Sequence, residues 1–231
     1  MDGYKMIKVE YETCITPWSI NEKLSNLVDV DHMAFDIETK GLYAKEQRKE
    51  ALKLLDADLD TYTHKLVSVV ANNSGLSFPS LVETTHFIFG LSKSTAVVLV
   101  PPNTRSEMFI WNWLHNYPGL LLIHNTLFDL KVMYHRIKCL PKRYDDTAMM
   151  LKTLINNSDV WKAKIGLKDV MSDYYSPAWA LFDEYEPENP RNPKFLEYAA
   201  TDGAATFKLW VDIQMHVMGD AWSHESERDL K

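Results

Sequence analysis

His32-Met33-Ala34-Phe35-Asp36-Ile37-Glu38 is the stretch that decides how this chain folds. Its apolar run Met33-Ala34-Phe35 reads as a buried strand, and it ends in two acids separated by one residue. Strand side chains alternate between faces, so Asp36 and Glu38 project together from the strand end. Alone the pair says little. An Asp-x-Glu arises by chance about once in a chain of average composition, and a strand end turning into solvent explains it as well.

Outward from that strand, Lys40-Gly41 stops it, and Pro17-Trp18-Ser19 starts a helix through Leu24 and Leu27 before it. Lys5 to Tyr11 alternates as a first strand. Residues 43–62 carry Ala51, Leu54, Leu55 and Leu59 at helical spacing, which predicts an amphipathic helical insertion directly after Leu42. Leu66–Val70, His86–Phe89, Ala96–Val100 and Leu120–Ile123 are apolar runs bounded by turn residues and predict strands, with an extra strand pair over about residues 72–99. Ser106 is the expected cap of a helix bearing Phe109, Ile110, Trp113 and Leu114. Further helices are expected through Leu130 and Ile137, over Ala148–Ile155, over Leu167–Tyr174, and from Lys194 to about Val217. Strands early with helices interleaved later give an α/β fold with a mixed central sheet, as one domain over residues 1–231.

Two further segments carry acids at the ends of elements. In Ile123-His124-Asn125-Thr126-Leu127-Phe128-Asp129 a strand runs into a helix, and Asn125 and Asp129 fall one turn apart. A helix cap and a first-turn acid would account for them without chemistry. In Tyr198-Ala199-Ala200-Thr201-Asp202-Gly203-Ala204-Ala205-Thr206, Tyr198 and Asp202 share a helix face among small residues. Gly203 costs a helix interior about 1 kcal/mol relative to Ala, which suggests a close approach to the sheet that would bring Asp202 toward the strand acids. Phosphodiester hydrolysis needs an activated water and charge stabilisation at the leaving oxygen, and two divalent cations on hard carboxylate ligands supply both.

Phe35-Asp36-Ile37-Glu38-Thr39 with Leu42, then His124-Asn125 with Phe128-Asp129, then Tyr198-Ala199-Ala200 with Asp202 and Thr206, resemble the proofreading exonuclease domains of family A DNA polymerases, within the DnaQ-like DEDD superfamily. Asp146-Thr147 and Gly166-Leu167-Lys168 resemble its connecting segments, so the likeness spans about Lys5 to Val217. It implies a ribonuclease H-like mixed sheet flanked by helices, and two divalent cations, Mg²⁺ or Mn²⁺. Asp36, Glu38 and Asp202 would hold one, and Asp129, directly or through water, would hold the other with Asp36. Tyr198 would place the attacking water with Glu38; Thr39, Leu42, Asn125 and Phe128 would contact the substrate end. The tyrosine subclass is implied because Tyr198 lies four before Asp202, whereas the position five before, used by histidine members, holds Glu197. The implied activity is release of nucleoside 5′-monophosphates from a single-stranded DNA 3′ end, alone or with a DNA polymerase domain or subunit, as in a phage protein. The alternatives are a ribonuclease D-like RNA exonuclease and an inactive binding module of a replication complex.

Among other residues, His124 is read as a hydrogen-bonded strand end, Asp145-Asp146 as a helix cap, and Lys162, Lys164 and Lys168 as a local basic cluster able to clamp phosphate. Trp111, Trp113 and Trp210 are read as core, and Trp161 and Trp179 as residues that could flank substrate. Cys14 and Cys139 have no ligand spacing and are expected as free thiols. The chain of 231 residues is 46% hydrophobic and 25% charged. No apolar run reaches the roughly 20 residues of a membrane span and no signal-peptide pattern is present, so a cytoplasmic location, bacterial or in a phage-infected host, is expected. A net charge of −7 is the wrong sign for gripping duplex with a whole surface, but bound cations let an acidic enzyme hold a few nucleotides.

Overall fold

The computed structural model describes residues 7–41, 82–156, 165–180, 189 and 191–217. Its centre is β2 (His32–Gly41), whose two faces are chemically different. Met33, Phe35 and Ile37 point into an aromatic-rich core with Phe87, Phe89 and Trp111, where Phe35 and Phe87 both meet the Trp111 ring edge-on. The alternate positions His32, Ala34, Asp36 and Glu38 face the other way.

Five more strands complete a sheet of order β1-β4-β3-β2-β5-β6. They are β1 (Glu10–Cys14), β3 (Val82–Gly90), β4 (Thr95–Leu99), β5 (Leu120–Ile123) and β6 (Tyr144–Asp146). β2, β3 and β4 pair antiparallel, while β5 and β6 run parallel to β2, and β1 parallel to β4. This is the expected mixed sheet. The β2–β3 register slips between Glu38 and Thr39, and resumes until Gly41 pairs with Val82. The β3–β4 pair therefore sits inside the sheet, beside β2. The helix expected over 43–62 and the strand expected over Leu66–Val70 lie outside the described residues.

Helices α1 (Pro17–Leu27), α2 (Thr104–Asn116) and α3 (Thr126–Ile137) cover the aromatic face. Helices α4 (Thr147–Asn156), α5 (Leu167–Tyr174) and α6 (Pro193–Val217), with a 3₁₀ turn at Pro177–Ala180, contribute to the second core with Val98, Val170, Leu196, Ala200 and Ala204. No described helix is long and apolar enough to cross a membrane.

Three boundaries differ from the sequence reading. The first strand begins at Glu10 rather than Lys5, where the backbone meets Thr95 of β4. Asn103, not Ser106, caps α2: its side chain accepts the Ser106 N–H at 3.0 Å, and Ser106 is a buried first-turn residue. β6 has only three residues, too short to leave a pattern of alternation.

Helix α6 lies across β2, β3 and β4 with almost no side chain between. Gly203 meets Gly90 of β3 backbone to backbone. A Cβ on Gly90 would overlap the Gly203 carbonyl, and one on Gly203 would come within 2.7 Å of Ile88 Cγ2. Farther along α6, Phe207 stacks on His32 and Trp210 lies tilted against it, with ring centroids 5.5 and 5.0 Å away. The helix thus runs along β2 with Asp202 and Tyr198 toward the end that carries the acids.

This contact has a sign test. In an open helix Gly203→Ala would stabilise by about 1 kcal/mol. Against the sheet it should instead destabilise by about 1–3 kcal/mol through overpacking, measured by denaturant unfolding, with Gly90→Ala at least as costly because its clash is with backbone.

Candidate active site

Alternation along β2 puts Asp36 and Glu38 on the α6 side, with Ile37 buried behind them. Carboxylate oxygens of Asp36, Glu38 and Asp202 all lie within 4.8 Å of one another. Asp129, in the first turn of α3, is only 3% exposed, and its Oδ1 has no hydrogen-bond partner among the described residues. A hydrogen bond with the Ile37 backbone and repulsion from Asp36 locate that carboxyl beside the other acids. Three elements distant in sequence therefore converge four acids on one point.

The electrostatic consequence is severe. Burial, then the Asp202 charge, pushes Asp36 up to about 7. Burial, then Asp36 and Asp202, pushes Glu38 up to about 9. Asp129 is raised well above the ordinary carboxylate range by burial and then Asp36. Buried carboxylates that repel one another are costly unless a cation compensates them. An orphaned buried oxygen and a close set of hard oxygen donors are what a divalent cation of the Mg²⁺ or Mn²⁺ type requires. The residues present fit such a group.

Tyr198 lies one turn before Asp202 on α6. Its phenol is driven far upward by burial and by Asp202, Glu38 and Asp36, and it hydrogen-bonds Asp202. Beside the metal-free carboxylates the phenol is thus held in its protonated, hydrogen-bonding form. Lys168 Nζ donates to the Tyr198 hydroxyl at 3.0 Å and lies 4.4 Å from the ring centroid. The same ammonium pulls the Asp36 and Glu38 pKa values back down. The sequence places Lys168 in a basic cluster and in the resembling segment Gly166-Leu167-Lys168; the structure sets it in the first turn of α5, two residues after the cap Gly166. Lys162 and Lys164 lie outside the described residues.

The corner that presents Asp129 is locked by neighbours. Asp146 accepts from the backbone N–H groups of Asn125, Thr126, Ala148 and Met149, and from the Thr126 hydroxyl at 2.7 Å. One carboxylate thus caps α4, as expected of it, and ties down the start of α3; despite its burial these bonds hold its pKa below the usual range. Asp145 does not cap: its Oδ2 accepts from Trp210 Nε1 at 2.8 Å. His124 contacts Thr147 Oγ1 at 2.9 Å through Nδ1 and the Ile165 carbonyl at 2.8 Å through Nε2. A carbonyl only accepts, so Nε2 carries a proton, and burial lowers the ring's pKa. His124 is a brace between β5 and the segment leading to Lys168, in keeping with the sequence reading.

Of the expected substrate contacts, Asn125 is exposed at the mouth of α3 with a left-handed backbone, φ 63°, and makes no side-chain cap. Thr39 follows the β2 register slip and is half-buried. Phe128 packs partly against the aromatic core. Leu42 and Trp161 lie outside the described residues. Trp179 is 7% exposed and belongs to the α6 core, which corrects its reading as a substrate-flanking residue. Cys14 and Cys139 are free.

No protein-family model matches this chain, and no curated protein sequence does. Solved structures do. Brucella melitensis NrnC with bound Mg²⁺ superposes with a TM-score of 0.53 at 16% identity, over 96% of this chain and 88% of that one. The Aedes aegypti Nibbler EXO domain gives 0.59 at 10%, over 96% and 97%. Escherichia coli RNase D, an exoribonuclease involved in structured RNA processing, gives 0.54 at 12%, over 93% of this chain but 47% of its own. At these identities the likeness is one of fold, and it establishes the ribonuclease H-like α/β architecture.

The carboxyl cluster should make the metal-free protein sensitive to alkali. Asp36 and Glu38 have folded pKa values above their unfolded ones, so the folded state loses stability as pH rises from about 4 through 7 and 9. In EDTA, thermal unfolding should occur at lower temperature at pH 9 than at pH 6. Asp36→Asn with Glu38→Gln should flatten that slope, and Mg²⁺ should raise the wild-type midpoint most at high pH.

Proposed function

We propose that this protein is a metal-dependent 3′–5′ exonuclease of the tyrosine DEDD type, acting on single-stranded nucleic acid with RNA as the first substrate. The observation that carries the proposal is the convergence of Asp36, Glu38 and Asp202 within 4.8 Å, with the orphaned Asp129 oxygen beside them and the Tyr198 hydroxyl on Asp202. RNA takes precedence because proteins of this fold include Escherichia coli RNase D, an exoribonuclease, and Brucella melitensis NrnC, solved bound to pGG. The Asn125–Asp129 spacing, which resembles DNA-proofreading domains, keeps single-stranded DNA as the second reading.

Asp36, Glu38 and Asp202 would hold one divalent cation, and Asp36 with Asp129 a second. Cations bound there supply electrophilic stabilisation of the phosphoryl oxygens and make a nearby water more acidic. The chain's own groups do the rest. The Tyr198 hydroxyl and the Glu38 carboxylate would orient the water for attack on phosphorus. The bond from phosphorus to the 3′-oxygen of the preceding nucleotide breaks, that oxygen gains a proton, and a nucleoside 5′-monophosphate leaves. Lys168 donates to the Tyr198 hydroxyl and brings one positive charge to the cluster.

The test uses 5′-labelled single-stranded RNA and DNA oligonucleotides with Mg²⁺, Mn²⁺ or EDTA. A metal-dependent ladder shortening from the 3′ end is expected, faster on RNA. Asp36→Ala should lower kcat by about 10³-fold, the several kcal/mol that metal-assisted charge stabilisation provides; activity that survived it would refute the mechanism. Lys168→Met should lower kcat about 10–100-fold, the worth of a hydrogen bond from a charged group, with Lys168→Arg restoring part of the loss.

A further inference from the structure

Three consecutive polar residues of β3, Thr84, Thr85 and His86, are buried, at 4%, 8% and 0% exposed. The strand continues as Phe87-Ile88-Phe89, apolar and wholly buried. Threonines are mostly surface residues, and burying a polar side chain is costly unless hydrogen bonds compensate it. The triplet coincides with the register slip. Glu38 pairs with His86 and Thr39 with Thr84, so Thr85 has no partner across the ladder and is the extra residue of a β-bulge. Bulges bend a strand and re-aim the side chains beside them. This one lies opposite Glu38.

The hydrogen bonds of the bulge lead in two directions. Thr85 Oγ1 donates to the Glu38 carbonyl at 3.0 Å, so a side chain holds the backbone where the ladder slips. His86 Nδ1 lies 2.9 Å from the same Oγ1. The only hydroxyl proton is on the carbonyl, so Nδ1 carries its own and donates, whatever the charge of the ring. Ile88 meets Gly203 of α6, and His86, two residues before it, faces α6 as well. Its ring centroid is 4.8 Å from that of Phe195, which is 5.7 Å from that of Tyr198. A buried series therefore joins the Glu38 carbonyl, through Thr85, His86 and Phe195, to Tyr198. Packing alone would explain Phe195; it does not explain why a threonine and a histidine are buried to hold one main-chain carbonyl.

We propose that Thr85 and His86 are positioning residues of the active site: holding the Glu38 carbonyl on one side and Phe195 on the other, they fix the Glu38 carboxylate relative to the Tyr198 hydroxyl. The proposal rests on the nuclease reading, which gives those two groups a shared water. The Gly90–Gly203 contact sets how near α6 lies to the sheet, and this brace sets how Glu38 is aimed within that gap. Precision of this kind matters, because a misplacement of about 1 Å at a reacting group costs about 10²-fold in rate.

In the full chain, Thr85→Val keeps the shape and removes the hydroxyl, Thr85→Ser keeps the hydroxyl, and His86→Phe keeps a ring without the donor. Each is measured for kcat and KM on single-stranded oligonucleotides in Mg²⁺, for Mn²⁺ affinity by titration calorimetry, and for its unfolding midpoint in denaturant. Thr85→Val should lower kcat and Mn²⁺ affinity about tenfold each, as losing the support behind a ligand does, with KM within about twofold. Thr85→Ser should restore most of both; Thr85→Ala carries the same expectation as valine should valine unfold the chain. Thr85→Val with His86→Phe should lose about as much as the larger single loss, because the two act as one unit. In a Tyr198→Phe background Thr85→Val should cost kcat about threefold or less, since the hydroxyl that Glu38 is aligned with is gone. A residue that only stabilised the fold would cost the same factor in both backgrounds. Unchanged kcat and Mn²⁺ affinity in Thr85→Val would overturn the proposal, as would losses that serine does not restore or that are equal with and without the Tyr198 hydroxyl. If wild type cleaved nothing in Mg²⁺, the nuclease reading would fall by itself, and the Mn²⁺ affinities would still decide whether Thr85 positions Glu38.

Discussion

Backbone contact between Gly90 and Gly203 is the constraint on which the molecule turns. Helix α6 carries Asp202, and β2 carries Asp36 and Glu38; carboxylate side chains reach only a short way, and a helix lying directly on the sheet lets them meet. Small residues on α6, Ala199, Ala200, Ala204 and Ala205, are all buried in that contact zone. What they give up in side-chain burial is recovered on the opposite face, where Phe35, Phe87, Phe89 and Trp111 form a dense aromatic core. The sheet divides the labour: one face supplies cohesion, and the other tolerates a cluster of mutually repelling acids.

A second constraint governs the third and fourth participants. Asp129 and Lys168 sit on helices that touch β2 less directly, so their positions depend on polar ties. Asp146 gathers donors from both sides of the β5–α3 corner and from the first turn of α4. His124 joins that corner to the Ile165 carbonyl, two residues before α5 begins. Neither side chain reaches the carboxylate cluster, yet together they set the positions from which Asp129 and Lys168 do.

How much of this could be read beforehand follows from the range of each interaction. The pairing of Asp36 with Glu38 and of Tyr198 with Asp202 is local periodicity, and the run of small residues around Gly203 announced a close approach. The mixed sheet was legible for the same reason. Lys168 was not singled out, because its contact with Tyr198 spans thirty residues and depends on how α5 docks. Trp179 looked available in an irregular stretch and is instead buried by α6, a tertiary effect with no local trace. Asn103 displaced Ser106 as the α2 cap because both are good capping residues three apart, and only the backbone decides which lies outside the helix. The preference for DNA rested on resemblance alone.

The β2–β3 pairing has one more implication, for how such a protein can diversify. Gly41 and Val82 are register partners, so the two strand ends that border residues 42–81 lie side by side, three residues beyond Glu38. Loop-closure entropy grows only logarithmically with length, about 0.6 kcal/mol for each doubling. The number of residues joining those two ends can therefore change at small cost in closure entropy, while the strand pairing that holds Glu38 stays as it is.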